Sequence, residues 1–237
     1  MSERLRVLLV GATGLIGRTI IARSPELPHV ILQGLARREI AFPPGTRMEL
    51  VLAERGEWPG IIEQLAPDAV ICALGTTHRK AGSQEGVREV DHDLVLEVAQ
   101  AAKKAEVRNF VQISSVGADA FSRNSYLKVK GETERDLRAL RLKRLDIMRP
   151  GLLRGRRQND LRPVEMAGQV LAPLADMLLV GGRTKYRSIR AYDVASAALG
   201  FATAKAAGQF IHEHDAIMRM AREFERGLAA KAEADVG

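Results

Sequence analysis

The chain has 237 residues, of which 46% are hydrophobic and 27% are charged, with a net charge of +7. This is the composition of a globular protein with a substantial buried core, and it excludes a disordered chain or a repeat solenoid. The arginines are scattered, crowd only at residues 135–144 and 154–162, and do not alternate with aromatic residues, which predicts a solvated basic surface and no nucleic-acid partner.

The single cysteine, Cys72, excludes a disulfide within the chain, and its apolar neighbours predict a buried structural thiol. A lone thiol suits a reducing compartment. No secretory leader precedes the first predicted strand, and that strand is far too short to span a membrane. We therefore expect a cytoplasmic protein without a membrane span.

The first predicted strand, an apolar run at residues 7–10, leads into a turn with glycines at positions 11, 14 and 17. Gly11 permits a sharp exit from the strand, Gly14 lets backbone N–H groups approach a pyrophosphate, and Gly17 allows close packing of the next helix. That helix, over residues 14–23, would point its positive N-terminal end at the phosphates. The spacing alone also suits an ordinary strand-to-helix turn, but its place at the head of a strand and helix alternation favours dinucleotide binding. The cofactor contacts predicted here are Gly11, Thr13, Gly14, Leu15, Ile16 and Gly17.

The second predicted strand, residues 29–35, ends where the type of cofactor would be selected. An NAD site carries an acidic residue about 20 residues after the glycine turn, to bind the ribose 2′-hydroxyl, and residues 33–36 contain none. Arg37 and Arg38 follow instead, and a guanidinium can bind the 2′-phosphate of NADP through two hydrogen bonds. The sequence therefore favours NADP(H), although two solvated loop arginines would give the same pattern.

Three further strands and a long helix follow. Strands are predicted over residues 48–52, 69–74 and 109–113, and Pro59 begins a helix after the first of them. Because ligands bind at the carboxyl ends of strands in open parallel sheets, Leu74, Gly75 and Thr76 would line the nucleotide. Apolar residues at helical spacing predict a helix over residues 86–104 with one buried stripe. Neighbouring residues on a helix point in different directions, so the Asp91-His92-Asp93 triplet predicts a solvated face and no metal site.

The fifth strand brings Ser114 and Ser115 to its end, and a short polar loop leads from there to Tyr126 and Lys130. Residues four apart share one face of a helix, so the Lys130 ammonium would stand beside the Tyr126 phenol. A neighbouring ammonium favours a phenolate, which is what proton exchange by a tyrosine near neutral pH requires. The Y-x-x-x-K pattern is common and also suits a surface helix, but its position after the fifth strand would bring Ser115, Tyr126 and Lys130 together beside a nicotinamide.

These motifs resemble those of the short-chain dehydrogenase/reductases. The glycine turn matches the extended and atypical pattern, and Ser115, Tyr126 and Lys130 match the catalytic triad. A closer likeness is to the atypical branch that includes the HIV Tat-interacting protein oxidoreductase, over roughly residues 5–199. The shared stretches are LGTT (74–77), KAG (80–82), SSVGAD (114–119), YLKVKGE (126–132) and RPG (149–151).

The resemblance implies NADPH binding, with Tyr126 as the general acid, Lys130 on the ribose hydroxyls and the phenol, and Ser115 polarising a carbonyl. Where many members carry an acidic residue after the third strand to contact the adenine, this chain has Ala53. Members of this branch are often better known as cofactor-binding regulators than by a named substrate. The further cofactor contacts predicted are Ser114, Tyr126, Lys130, Pro150, Gly151 and Leu152, the last three of them after a sixth strand at residues 145–148.

The predicted fold is α/β, a Rossmann-like doubly wound parallel sheet at residues 1–150 with a small substrate cap and closing helices at residues 151–237 packed on the same domain. The cap centres on residues 152–182, where the basic stretch 154–162 precedes an apolar stripe interrupted by Pro173. Three interpretations of this cap are open. It is a lid that packs on the core and has a solvated basic rim, a site that binds an anionic substrate, or a surface that binds a partner. Closing helices are predicted at residues 192–204 and 213–232.

Two classes of function are consistent with these features. The leading hypothesis is an NADPH-dependent oxidoreductase that reduces a small carbonyl substrate, as a monomer or homodimer. The alternative is an NADPH-binding regulatory or scaffold protein with little or no turnover and a protein partner that responds to the cofactor. Epimerase or dehydratase chemistry on a nucleotide sugar is disfavoured by the short cap, because such ligands need a large second lobe.

Overall fold

The computed structural model describes residues 4–76, 81–155, 179 and 181–234. Within these ranges the strands are β1 (Leu5–Val10), β2 (Val30–Ala36), β3 (Glu49–Leu52), β4 (Ala69–Cys72), β5 (Asn109–Ile113), β6 (Arg144–Met148), β7 (Leu153–Arg154), β8 (Ile189–Arg190) and β9 (Gly208–His212). The helices are α1 (Leu15–Ala22), α2 (Trp58–Leu65), α3 (Gln84–Arg88), α4 (Leu94–Lys104), α5 (Ser125–Ala139), α6 (Ala191–Ala202) and α7 (His214–Ala234). A π-helical turn (Glu89–Asp93) joins α3 to α4.

The central sheet is parallel and has the strand order β3-β2-β1-β4-β5-β6-β9, while β7 and β8 form a separate parallel pair. The chain moves outward from β1 to β2 and β3, and then returns to β4 on the other side of β1. The topological switch therefore lies between β1 and β4, and crevices at such points bind ligands in open α/β sheets. The predicted Rossmann-like doubly wound sheet is confirmed.

Helices cover both faces of the sheet, as a parallel sheet requires. Alternate residues of β1 enter different cores, with Val7 and Leu9 on the side of α1, α6 and α7, and Leu8 and Val10 on the side of α2 and α4. Burial on both faces explains why these strands are almost entirely apolar in sequence. Cys72 lies in the second core, where burial raises the pKa of its thiol to about 12, and the prediction of a buried structural thiol is confirmed.

The C-terminal elements complete the first core. Helix α6 is buried at every position except Tyr192, and α7 packs along it through Ile217 and Ala221. The two predicted closing helices are therefore confirmed. Strand β9, which lies between them, had no predicted counterpart, and it forms the edge of the central sheet beside β6. Most of the predicted cap, residues 156–178 and 180, lies outside the described residues.

A buried arginine anchors α7 to the rest of the fold. Arg23 follows α1 and is only 2% exposed. Its guanidinium lies 2.9 Å from a Glu26 carboxylate oxygen, 2.7 Å from a Glu225 carboxylate oxygen and 4.3 Å from the centre of the Tyr192 ring. The last helix is thus an outer helix, as its charge predicts, but one held by an ion pair between the partly exposed Glu225 and the buried Arg23. In the part of the chain that the structure describes, no helix is long and apolar enough to cross a membrane.

Candidate active site

The glycine turn after β1 leaves no room for a side chain at Gly11 or Gly17. Gly11 has a φ of +94°, and a Cβ atom there would lie 2.5 Å from the Ala73 carbonyl group. A Cβ atom at Gly17 would lie 2.3 Å from the Gly11 carbonyl oxygen. Gly14 precedes α1 as its cap, and the first turn of this fully described helix carries no acidic residue. The N–H groups of that turn are therefore available to an anion.

The other residues predicted to bind the cofactor in this turn differ in exposure. Thr13 is exposed and Leu15 is half-buried, so both side chains are accessible at the start of α1. Ile16 packs in the core, which leaves only its backbone for a ligand. Arg37 and Arg38 follow directly after β2, the strand beside β1, and both are exposed. Within the described residues neither makes an ion pair, so both guanidinium groups are open to an anionic ligand.

The loop after β4 passes over a buried ion pair. Lys130 is 3% exposed, and its Nζ lies 2.8 Å from an Asp91 carboxylate oxygen. The backbone N–H of Thr76 donates to the other Asp91 oxygen at 2.7 Å. A Cβ atom at Gly75 would lie 3.6 Å from Asp91 and 3.7 Å from the Lys130 Nζ. The predicted Leu74 to Thr76 segment and the predicted Lys130 therefore meet at one place.

The charge state of Lys130 follows from its surroundings. Burial opposes the charged ammonium, but the carboxylate of Asp91, with a smaller contribution from Tyr126, raises the pKa of Lys130 above its ordinary value. Lys130 is therefore a permanent cation at neutral pH. Its Nζ lies 6.0 Å from the centre of the Tyr126 ring, and Tyr126 itself is 39% exposed. The structure thus places the phenol in an accessible position next to a fixed positive charge.

The two serines after β5 have different environments. The Ser114 hydroxyl is buried and donates to the Glu134 carboxylate at 2.5 Å, so that side chain is engaged inside the fold. Ser115 is half-buried, and its hydroxyl makes only a long bond, 3.3 Å, to the Val116 carbonyl oxygen. Ser115 is therefore the serine whose hydroxyl can turn to a ligand, and within the described residues it makes no hydrogen bond with Tyr126.

The prediction that Asp91-His92-Asp93 forms a solvated face is wrong for two of its three residues. Asp91 is fully buried, and His92 is buried between carboxylates of Asp93, at 2.7 Å, and Asp136, at 3.0 Å. Only Asp93 is exposed. The reason is that Asp91 belongs to the buried stripe of the helix, where it meets Lys130 from α5. Asp91 is the site residue that the sequence analysis missed.

The segment after β6 crosses towards the start of α1. The Pro150 carbonyl accepts a bond from the Val116 N–H at 3.0 Å, which ties this segment to the loop of Ser115. A Cβ atom at Gly151 would lie 2.3 Å from the Arg187 carbonyl oxygen, so only glycine fits there. Leu152 is 58% exposed, and Gly155 reaches the side chain of Leu15. The chain after β6 therefore passes close to the start of α1, and the contacts of Pro150, Gly151 and Leu152 with a cofactor stay predictions.

The strand order and the glycine turn define a Rossmann-like nucleotide-binding protein. A family model described as the NAD dependent epimerase/dehydratase family matches residues 7–139. The chain belongs to this family. The narrower likeness to the branch of the HIV Tat-interacting protein oxidoreductase stays a prediction.

Curated relatives extend the comparison beyond the family model. The chain is 35% identical over 190 residues to the protein named "Protein FMP52, mitochondrial" of Saccharomyces cerevisiae. The matched region covers 79% of this chain and 80% of the relative. It is 39% identical over 156 residues to the protein of the same name in Eremothecium gossypii, covering 65% and 69%. Both relatives are named as mitochondrial, so the predicted cytoplasmic location is wrong. A lone buried cysteine does not distinguish between these compartments.

Solved structures share the fold at low identity. The structure of MoeE5 in complex with UDP-glucose and NAD has a TM-score of 0.65 and 15% identity, covering 92% of this chain and 81% of that one. The ADP-L-glycero-D-manno-heptose-6-epimerase of Helicobacter pylori has a TM-score of 0.68 and 14% identity, covering 95% and 83%. These likenesses confirm the architecture of the sheet and its helices.

Proposed function

We propose that this protein is an NADP(H)-dependent oxidoreductase that reduces a small carbonyl compound or oxidises the corresponding alcohol. The observation that carries the proposal is the buried Lys130–Asp91 pair beneath Gly75, with the accessible phenol of Tyr126 beside it. A buried cation beside an exposed phenol, at the carboxyl edge of a parallel sheet, suits a proton donor that faces a ligand.

The cofactor proposal rests on the shape of the crevice. Gly11 and Gly17 let the turn pack tightly against the neighbouring backbone, and the start of α1 offers N–H groups to a pyrophosphate. The two guanidinium groups after β2 suit a 2′-phosphate, which favours NADP(H) over NAD(H). When bound, this cofactor supplies or accepts a hydride.

The side chains of the chain itself supply the proton and hold the substrate. Tyr126 would donate its hydroxyl proton to the carbonyl oxygen of the substrate, so that no alkoxide is left in the crevice. Lys130 would stabilise the resulting phenolate, and Ser115 would donate a hydrogen bond to the same carbonyl oxygen. General acid catalysis of this kind contributes about 10²-fold to 10⁴-fold to a rate.

A second candidate is a cofactor-binding regulator with little turnover, and two observations favour it. The carboxylate of Asp91 neutralises much of the field of Lys130 at the phenol, because the ion pair is only 2.8 Å long. The Ser115 hydroxyl also has a partner of its own in the Val116 carbonyl. Both features weaken proton transfer while leaving the cofactor crevice intact.

Fluorescence titration with NADPH and NADH, followed by a panel of carbonyl compounds and UDP-glucose, separates these functions. The proposal expects tighter binding of NADPH and oxidation of NADPH by at least one carbonyl compound. Binding without turnover across the panel favours the regulator. Conversion of the nucleotide sugar when the oxidised cofactor is supplied, without net formation of the reduced cofactor, would make the protein an epimerase instead.

The variant Tyr126→Phe tests the proton donor. We expect NADPH affinity to be kept and turnover to fall by about 10²-fold or more, because only the hydroxyl is removed. Tyr192→Phe is the matched control, since Tyr192 lies on the other face of the sheet against Arg23, and its turnover should equal that of the parent. Equal turnover in Tyr126→Phe and the parent would exclude Tyr126 as the donor.

A further inference from the structure

A groove lies between helix α5 and the edge strand β9, apart from the glycine turn. It has a volume of about 480 Å³ and is bordered by Gln209 and Ile211 of β9. Its charged lining consists of Arg135, Arg138, Arg141, Arg149, Asp119 and Glu134. Three of these arginines, Arg135, Arg138 and Arg141, belong to the crowded stretch 135–144, to which the proposed function gives no role.

The positive charges of this groove are not all compensated. Arg135 is paired with the neighbouring Asp136 at 2.7 Å, and Arg149 is paired with Glu134. Arg138 and Arg141 make no ion pair in the part of the chain that the structure describes. Residues three apart are neighbours on a helix, so Arg135 and Arg138 stand next to each other on α5 and repel one another, while Arg141 follows just after the helix with a φ of +53°. An anion in the groove would remove that repulsion.

One guanidinium is held in place before any ligand arrives. Arg149 donates from Nε to both Glu134 oxygens, at 3.0 and 3.1 Å, and from one terminal nitrogen to the same carboxylate. Glu134 is itself buried and receives the Ser114 hydroxyl. Within the described residues, the second terminal nitrogen of Arg149, which lines the groove, makes no hydrogen bond and is left as a donor. A guanidinium fixed in this way loses little conformational entropy when it binds an anion.

The walls of the groove are also fixed. A Cβ atom at Gly131 would lie 2.1 Å from the Asp119 carbonyl carbon, so the loop before α5 packs directly on the helix backbone. On the other side, the Gln209 side-chain amide donates to the Arg138 carbonyl at 2.8 Å. The groove is therefore a preformed space between two rigid elements and not a gap between mobile side chains.

We propose that this groove binds a small phosphate-bearing anion. Guanidinium groups bind phosphate oxygens through paired, charge-assisted hydrogen bonds, and the groove offers several of them around a volume that suits a phosphorylated metabolite. The groove lacks an aromatic side chain among its described lining residues, so it offers no stacking surface to a nucleic acid. None of the residues that line the groove is among the predicted cofactor contacts.

Calorimetric titration with inorganic pyrophosphate tests the proposal. The test variant is Arg138→Gln/Arg141→Gln, which removes the two unpaired charges, both on the surface of α5 or just after it. The matched control is Arg222→Gln/Arg226→Gln, which removes two exposed charges from α7. We expect affinity for pyrophosphate to fall about tenfold or more in the test variant and to stay at the parent value in the control.

The glycine turn is a second place where pyrophosphate can bind, so each titration is repeated with NADPH present. The component that survives NADPH and disappears in the test variant belongs to the groove. If NADPH does not bind, the proposed function fails, but the difference between the two double variants still reports on the groove. Equal weakening in both double variants, or no binding to the parent in the millimolar range, overturns the proposal. Tight binding of an unphosphorylated acidic peptide without binding of pyrophosphate would also overturn it.

Discussion

The candidate site consists of backbone groups on one side of the topological switch and of charged side chains on the other. Beside β1 the site is backbone, since Gly11 and Gly17 are held so tightly that no side chain fits. Beside β4 and β5 it consists of buried charged side chains, chiefly Asp91 and Lys130. A backbone site depends on a few consecutive residues, whereas a side-chain site depends on partners from distant elements. The first kind is visible in a sequence, and the second kind emerges only when the helices are packed together.

The largest expected effect is at the backbone side. In Gly17→Ala the new Cβ atom would lie 2.3 Å from the Gly11 carbonyl oxygen and 2.8 Å from the Ala12 Cα, so the turn or α1 must move. We expect the free energy of unfolding to fall by about 4 kcal/mol, measured by urea denaturation.

Gly60→Ala is the control for this change. Gly60 lies in α2 with no atom within 4 Å of the position of a Cβ atom. Alanine should stabilise that helix by about 0.5–1 kcal/mol. If Gly17→Ala were as stable as the parent, the close packing of α1 on the turn would be refuted.

The next effect is at the side-chain side. In Asp91→Asn the buried ammonium of Lys130 loses its counter-charge, which should lower the free energy of unfolding by about 3 kcal/mol. The double variant Asp91→Asn/Lys130→Met removes both charges and should regain part of this loss. A double variant less stable than the sum of the two single changes would contradict a direct ion pair.

The pH dependence of Lys130 has a definite sign. Its pKa is raised in the folded protein, so its stabilising contribution is complete below the unfolded value of about 10.4 and is lost as the pH rises through the folded value. The stabilities of the parent and of Lys130→Met should therefore converge in strongly alkaline solution. Urea denaturation at neutral and alkaline pH measures this, and a constant difference would argue against the ion pair.

A smaller effect is expected at the anchor of α7. Burial alone would raise the pKa of Glu225, but hydrogen bonds from Ser196 and Arg23 hold it below its usual value. The stabilisation is thus present above an unfolded pKa of about 4.3 and is lost as the pH falls through the folded value. Glu225→Gln should lower the free energy of unfolding by about 1–2 kcal/mol at neutral pH and by less near pH 3.

The control for this anchor is Glu223→Gln on the same helix, where the side chain is exposed. Its thermal denaturation should match that of the parent at both pH values. Equal effects of the two substitutions would show that the loss comes from the charge of α7 in general and not from the contact with Arg23.

The smallest expected effect concerns cofactor choice. Arg37→Ala/Arg38→Ala should weaken NADPH binding by about tenfold or more, because two charge-assisted contacts to the 2′-phosphate are removed. NADH binding should stay unchanged, since that cofactor lacks the phosphate. An equal loss for both cofactors, measured by fluorescence titration, would show that the arginines act through the fold and not on the phosphate.

The same contrast explains what the sequence could and could not predict. The strands β1, β4 and β5 and the glycine turn follow from apolar runs and local spacing. The burial of Asp91 could have been predicted from its spacing, because it lies four residues after Val87 and three before Leu94 on the buried stripe. Its ion pair could not be predicted, because Lys130 belongs to another helix. Edge strand β9 has almost no pattern in the sequence by which it could be predicted, because it is only half-buried and its position is set by pairing with β6.

The dependence of α6 on α7 has a consequence during synthesis. Helix α6 is almost entirely apolar on its surface and is covered by a helix that is translated after it. Until α7 leaves the ribosome, the hydrophobic surface of α6 is exposed to solvent in the nascent chain. Exposed hydrophobic surfaces of this kind bind chaperones or lead to aggregation. Yield in cells should therefore respond strongly to substitutions on the inner face of α7.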